Sequence, residues 1–291
     1  MINYWKVRGK VIIGCFDDAY QIIPETNASY KYWHNGDITL IRDGKEEPGI
    51  MFPHPMDQFA WGLKSVHAIY TPSKQLCKDW ESIVPAYYNP NRFENEKYID
   101  IEKPKHEGII IGWGGSLSHY QSFNDSGILD VLRTIFLKYK YLKLMIVGDK
   151  RVYDLIKIPE EQKVFQNYVP YDQWPRVVAN FDIGLAPLAG EYDKRRSWIK
   201  PLEYMLEKIP WIASDNTSYD DIKQYGTVVK NYPEKWKEAL LDNILNLEAK
   251  RDIAKGKPFD FAASTDVNAN VDKTLVLFKE IAKKHAKIDL K

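Results

Sequence analysis

"DIGLAPLAGEYDKRRSWIKPLEYMLEKIPWIAS", residues 182–214, runs from a short apolar strand through a charged loop into an amphipathic helix, then into a second apolar strand. That order is the unit of a parallel sheet covered by helices. In the helix, Ile199, Leu202, Leu206 and Ile209 recur at helical spacing and form one apolar face. Ser197 is the expected N-cap. Pro201 is compatible only with the first turn, where few backbone donors are committed. The helix should therefore begin close to Ser197, just beyond a strand ending at Leu188. Its unpaired N–H groups and positive dipole end then lie at the rim of the sheet, a ready anion site. Arg195, Arg196 and Lys200 add full charges to the amides of Ser197, Trp198 and Ile199, and a diphosphate would satisfy the cluster. The alternative is that these cations pair with Glu191, Asp193 and Glu203 on a solvated face.

Outward from this stretch the same alternation continues. Residues 108–113, 142–148, 163–169 and 227–230 read as further strands, and 126–139 and 171–181 as helices. Together they describe a doubly wound α/β domain, in which ligands gather at the carboxyl ends of the strands. Two long helical segments, 233–255 and 266–287, follow. Before this domain, "KVIIGCF" (10–16) reads as a buried strand and "SVHAIYTPS" (65–73) as another, followed by a helix over 74–83. Residues 36–59, rich in Pro, Gly and charge, read as loops. Residues 89–108, polar and without apolar period, read as a linker. The expected division is a first domain over 1–100 and a second over 101–291. A Rossmann half usually holds about five or six strands. Fewer can be placed before residue 100, so the first domain is expected to be reduced or truncated.

Composition narrows the function classes. The chain of 291 residues is 44% apolar and 28% charged with a net charge of +1, so no global basic field points to nucleic acid or an anionic membrane. Cys15 and Cys77 are too few to staple a fold and have no metal-ligand spacing. No apolar run approaches the roughly 20 residues of a spanning helix, and the start lacks the order of a signal peptide. The expectation is a cytoplasmic protein, with membrane association peripheral at most.

Other residues carry weaker signals. In "GWGGSLSH" (112–119), Gly112, Gly114 and Gly115 permit close backbone approach to a ligand, and Ser116, Ser118 and His119 offer hydrogen bonds; a plain turn is the alternative. Asp149 ends a strand and reads as a turn residue. Asp17 and Asp18, adjacent at a strand end, could hold a cation or act as a base, or cap a turn. His54, between two prolines, is a candidate for acceptor binding or a structural side chain.

Taken together, "IGWGGSLSHYQSF", "YVPYDQWPRVVANFDIGLAPL" and "RRSWIKPLEYMLEKIPWIASDNTSY" resemble the nucleotide-sugar domain of GT-B glycosyltransferases, within them the large retaining group called family four. The resemblance spans about residues 105–235; 9–20 and 68–80 are similar to the latter half of the acceptor domain. It implies two Rossmann-type domains, the first reduced or truncated. It also implies transfer of a sugar from a nucleotide diphosphate sugar to a glycan, lipid or protein hydroxyl, with retention and without metal or other cofactor. Position by position, it places the base near Tyr168, Val169 and Pro170 and the ribose on Glu203. The diphosphate falls on Ser197 to Ile199 with Arg196 and Lys200, and the loop from Gly112 to His119 approaches phosphate or sugar. The sequence departs from the family where Arg195 stands eight positions before Glu203, in place of the first glutamate of a pair. A non-catalytic donor-binding protein is the second reading that this departure supports. A sugar-nucleotide epimerase is a third.

Overall fold

The computed structural model describes residues 1–99 and 101–290. Asp100, at which the expected first domain ends, and Lys291 lie outside the described residues. The chain divides into two compact units. The first holds Met1–Asn91, Arg195–Ser197 and Asn270–Lys291; the second holds Arg92–Lys194 and Trp198–Ala269.

In the first unit, β1 (Ile13–Cys15), β4 (Ala68–Thr71) and β5 (Ala86–Tyr88) form a parallel sheet in the order β1-β4-β5. β1 is half-buried, with Cys15 exposed, rather than the fully buried strand its apolar run suggests. The segment read as loop is ordered: β2 (Asp37–Arg42) and β3 (Lys45–Ile50) pair as an antiparallel hairpin, and helix Pro55–Ser65 follows. Asp43 and Gly44 turn the hairpin with φ of 52° and 74°, the two left-handed residues of the tightest hairpin loop. The closing helix, Val271–Ile281, groups with this unit and not with the second domain as expected. Its Phe278 ring meets Tyr70 at 5.6 Å, and the Tyr87 hydroxyl is 2.7 Å from His285 Nε2.

The second unit is built on six parallel strands: β6 (Ile109–Gly115), β7 (Leu142–Gly148), β8 (Lys163–Gln166), β9 (Ile183–Ala186), β10 (Trp211–Ser214) and β11 (Thr227–Val229), in the order β11-β10-β9-β6-β7-β8. Alternation along a strand sends side chains to opposite faces. Leu142, Leu144 and Ile146 of β7 join a core with Leu132, Phe136, Trp236 and Leu240. Met145 and Val147 join another with Phe181, Leu202, Met205 and Leu206. The expected long helix over 233–255 breaks at Asn246 into Pro233–Leu245 and Leu247–Ala254.

The linker read over 89–108 is largely part of this unit. Phe93 and Tyr98 are buried in its core, and Asn95 donates its side-chain amide to the Ala263 carbonyl at 2.7 Å. Two aromatic side chains suffice to anchor a segment whose remaining residues are polar, which is why no period betrayed it.

Candidate functional site

A cavity of about 320 Å³ opens at the carboxyl ends of β6 and β7, the end of an α/β sheet where ligands bind. Gly114, Gly115 and Ser116 form one lip, Val147 and Gly148 another, with Tyr168, Val169, Tyr171 and Trp174 from the segment after β8 and Ile199, Lys200 and Glu203 from helix Ile199–Leu206. The strand ends are narrow here because two glycines accept neighbours that a side chain would displace. A Cβ on Gly114 would stand 2.1 Å from the Trp174 ring, and one on Gly148, at φ +95°, would stand 2.5 Å from the Gly115 carbonyl.

The helix begins one residue later than the sequence suggests. Trp198 holds the N-cap position, and the Leu202 N–H donates to its carbonyl at 3.2 Å. Pro201 falls in the first turn as required. Ser197 does not cap the helix: it belongs to the first unit and its hydroxyl accepts from the Asn91 amide at 3.0 Å. Lys200 and Glu203, three residues apart on one face, both reach the cavity.

Glu203 is 7% exposed. Its Oε1 accepts from the Trp174 indole N–H at 2.7 Å and from the Tyr98 hydroxyl at 3.4 Å. Burial pushes its carboxyl up to about 7, opposed by the Lys200 charge and by these two hydrogen bonds. A carboxylate at the wall of a cavity, braced from behind by two donors, can accept hydrogen bonds from a ligand hydroxyl. The Lys200 ammonium meets His119 Nε2 at 3.0 Å. His119 is itself buried, edge-on to Trp113 at 6.0 Å.

Several sequence candidates thus converge on the cavity: Gly114, Gly115, Ser116, Tyr168, Val169, Ile199, Lys200 and Glu203. Others stand elsewhere. Gly112 lies within β6 under the Phe181 ring, which a Cβ would meet at 2.1 Å, so packing accounts for that glycine. Pro170 uses its carbonyl to receive the N–H groups of Gln173 and Trp174 and does not line the cavity. Trp198 is buried in the core. Asp149 caps the helix Lys150–Leu155 by accepting from the Arg151 N–H at 2.9 Å.

Arg195 and Arg196 group with the first unit, where carboxylates meet them. Arg195 Nε donates to Asp79 at 2.7 Å, and Arg196 Nη1 to Asp18 at 3.2 Å. Neither lines the cavity, and their recorded partners differ from the Glu191, Asp193 and Glu203 weighed in the sequence. Lys194 does pair with Glu191. Burial and the Asp18 charge push the Asp17 carboxyl up. His54 precedes helix Pro55–Ser65, its Nδ1 buried and without a hydrogen-bond partner.

Trp174, Tyr171, Val147 and Gly148 line the cavity although the sequence did not single them out. Gly148, at the end of a strand in "VGD", carried the only local signal; the tryptophan's bond to Glu203 spans 29 positions.

Compared with protein-family models and with curated protein sequences, the chain matches none. Solved structures do match. TarM is 14% identical with a TM-score of 0.58 over 83% of this chain. HepE from Anabaena, in complex with UDP and glucose, is 14% identical with a TM-score of 0.59, over 76% of this chain and 67% of its own. Sucrose-phosphate synthase from Thermosynechococcus elongatus is 13% identical with a TM-score of 0.61, over 96% of this chain and 70% of its own. The chain spans 49% of TarM, about half its length. These neighbours share the GT-B fold, and this chain has it.

Proposed function

We propose that the chain binds a nucleotide diphosphate sugar in the cavity and transfers the sugar to a hydroxyl acceptor, with retention and without a metal ion. One observation carries the reading: Lys200 and Glu203 line one cavity at the carboxyl ends of a parallel sheet, at the start of a helix. The arrangement offers an acceptor for ribose hydroxyls beside a cation and a dipole end for phosphates. Departure of the diphosphate builds negative charge, which a fixed ammonium and helix N–H groups stabilise without reorganising. The complexes of similarly folded HepE with UDP and glucose, and of a point mutant of S. aureus TarM with fondaparinux, α-GlcNAc-glycerol and UDP, favour a nucleotide sugar and a carbohydrate acceptor. Lipid and protein hydroxyls remain within the proposed acceptor class. A cytoplasmic place is part of the same proposal and rests on two cysteines left unpaired.

Calorimetry with UDP, GDP and ADP tests the reading. One nucleotide is expected to bind the unaltered chain, and Lys200→Met to weaken it about tenfold or more, the loss of a charged contact. No binding by the unaltered chain, or equal binding by the variant, refutes the cradle.

The second reading, donor binding without transfer, is favoured by Arg195, which occupies the place of a family glutamate and is held by Asp79. Turnover of any sugar nucleotide with an acceptor removes it.

A further inference from the structure

We infer that His119 is a positioning residue: through Ser122 and the buried Asp193 it is held in one neutral tautomer, and in that form it fixes the Lys200 ammonium at the cavity. This rests on the reading of the cavity as a donor site. Proton accounting along the contacts leads to it. An ammonium has donors and no acceptor, so across the 3.0 Å contact Lys200 donates and His119 Nε2 accepts. A neutral imidazole then carries its proton on Nδ1, which faces Ser122 Oγ at 3.5 Å. The Ser122 hydroxyl spends its own proton on Asp193 Oδ2 at 2.6 Å, leaving a lone pair for the imidazole. Asp193 Oδ2 is anchored by the Ala189 N–H at 2.7 Å. Every donor in the series points from the cavity toward Asp193.

His119, Ser122 and Asp193 are 7%, 1% and 2% exposed, so the series is sheltered from water. The Trp113 ring, edge-on to the imidazole at 6.0 Å and 81°, restricts its rotation. Across this contact Lys200 is aimed by a neutral acceptor, and the imidazole itself leaves the ammonium charge in place. His119 itself does not line the cavity, so its effect on a ligand passes through Lys200.

The test pairs two measurements. Nitrogen-15 NMR of the imidazole in the ligand-free protein is expected to show the Nδ1–H tautomer; an Nε2–H ring overturns the inference. Calorimetry then compares UDP with uridine, with GDP and ADP beside their nucleosides in parallel. His119→Gln keeps an acceptor for Lys200 and a donor for Ser122, and is expected to bind the diphosphate within about twofold of the unaltered chain. His119→Phe keeps bulk without either group and is expected to bind it about tenfold more weakly, with nucleoside affinity unchanged in both variants. Equal binding by the Phe variant, or equal weakening in the Gln variant, overturns the inference. Should His119→Phe fail to fold, Ser122→Ala replaces it, with an expected mixture of tautomers and severalfold weaker diphosphate binding; a single Nδ1–H tautomer with full affinity overturns the inference. Absence of any nucleotide binding beside an Nδ1–H ring defeats the donor reading and leaves the series standing. Nucleotide binding beside an Nε2–H ring does the reverse.

Discussion

Glu203→Gln removes the charge of a buried carboxylate while keeping its shape. Burial lifts this carboxyl from its usual 4.5 to about 7. Between those values the folded chain binds more protons than the unfolded one, so stability falls as pH rises through the window and levels off above about 7. At about 1.36 kcal/mol per pH unit, the gap comes to about 3 kcal/mol. Glutamine retains an oxygen for the Trp174 indole and the Tyr98 hydroxyl, the two donors that now meet Oε1. The variant is therefore expected to match the unaltered chain near about pH 4.5 and to exceed it by about 3 kcal/mol at about pH 8. Urea unfolding followed by far-ultraviolet circular dichroism at both pH values measures the difference. The same change exchanges a charged acceptor for a neutral one, so nucleoside affinity at about pH 8 is expected to fall about tenfold. A stability difference that does not vary with pH would refute the burial argument. Unaltered nucleoside affinity would refute the role of Glu203 in holding the ribose.

Trp174→Phe deletes the 2.7 Å donor to Glu203; it should raise that carboxyl further and cost about 1–2 kcal/mol at about pH 8, read by carbon-13 NMR of the carboxyl and by urea unfolding. Asp79→Asn removes the charge from the pair with Arg195, whose side chains are only 15% and 14% exposed. It should destabilise the first unit by about 2 kcal/mol, visible as a lower midpoint of thermal unfolding. If the chain performs the proposed transfer, that activity should survive exhaustive treatment with EDTA; a loss restored by magnesium or manganese would overturn the proposal that the leaving group is stabilised without a metal.

How much of this was legible depends on the range of each interaction. Periodicity located the six-stranded unit because apolar residues at fixed spacing reflect a sheet and helices that bury continuous faces. Lys200 and Glu203 could be placed together for the same reason, being one helical turn apart. The hairpin over Asp37–Ile50 carried a readable local sign in Asp43-Gly44, but the surrounding charge obscured it. Partners of a charge carry no such sign. Asp79 lies 116 positions from Arg195 and Asp18 lies 178 from Arg196, while Glu191 is three positions from Lys194 and was foreseeable. Tyr98 was missed because a single aromatic in a polar run has no period, yet it touches Glu203 across 105 positions.

The burial of Phe93, Asn95 and Tyr98 has a consequence for modular exchange between proteins of this architecture. A graft that begins at the first strand of the six-stranded sheet would leave these side chains behind, opening a hole in the core and stripping one donor from Glu203. The smallest transplantable piece starts at Arg92 and needs the stretch through Ala269, because Asn95 is tied to Ala263 and its backbone N–H to Asp266. A chimera cut at the visible sheet boundary would carry a damaged core, and its loss of ligand binding would report on that core and not on the residues that line the cavity.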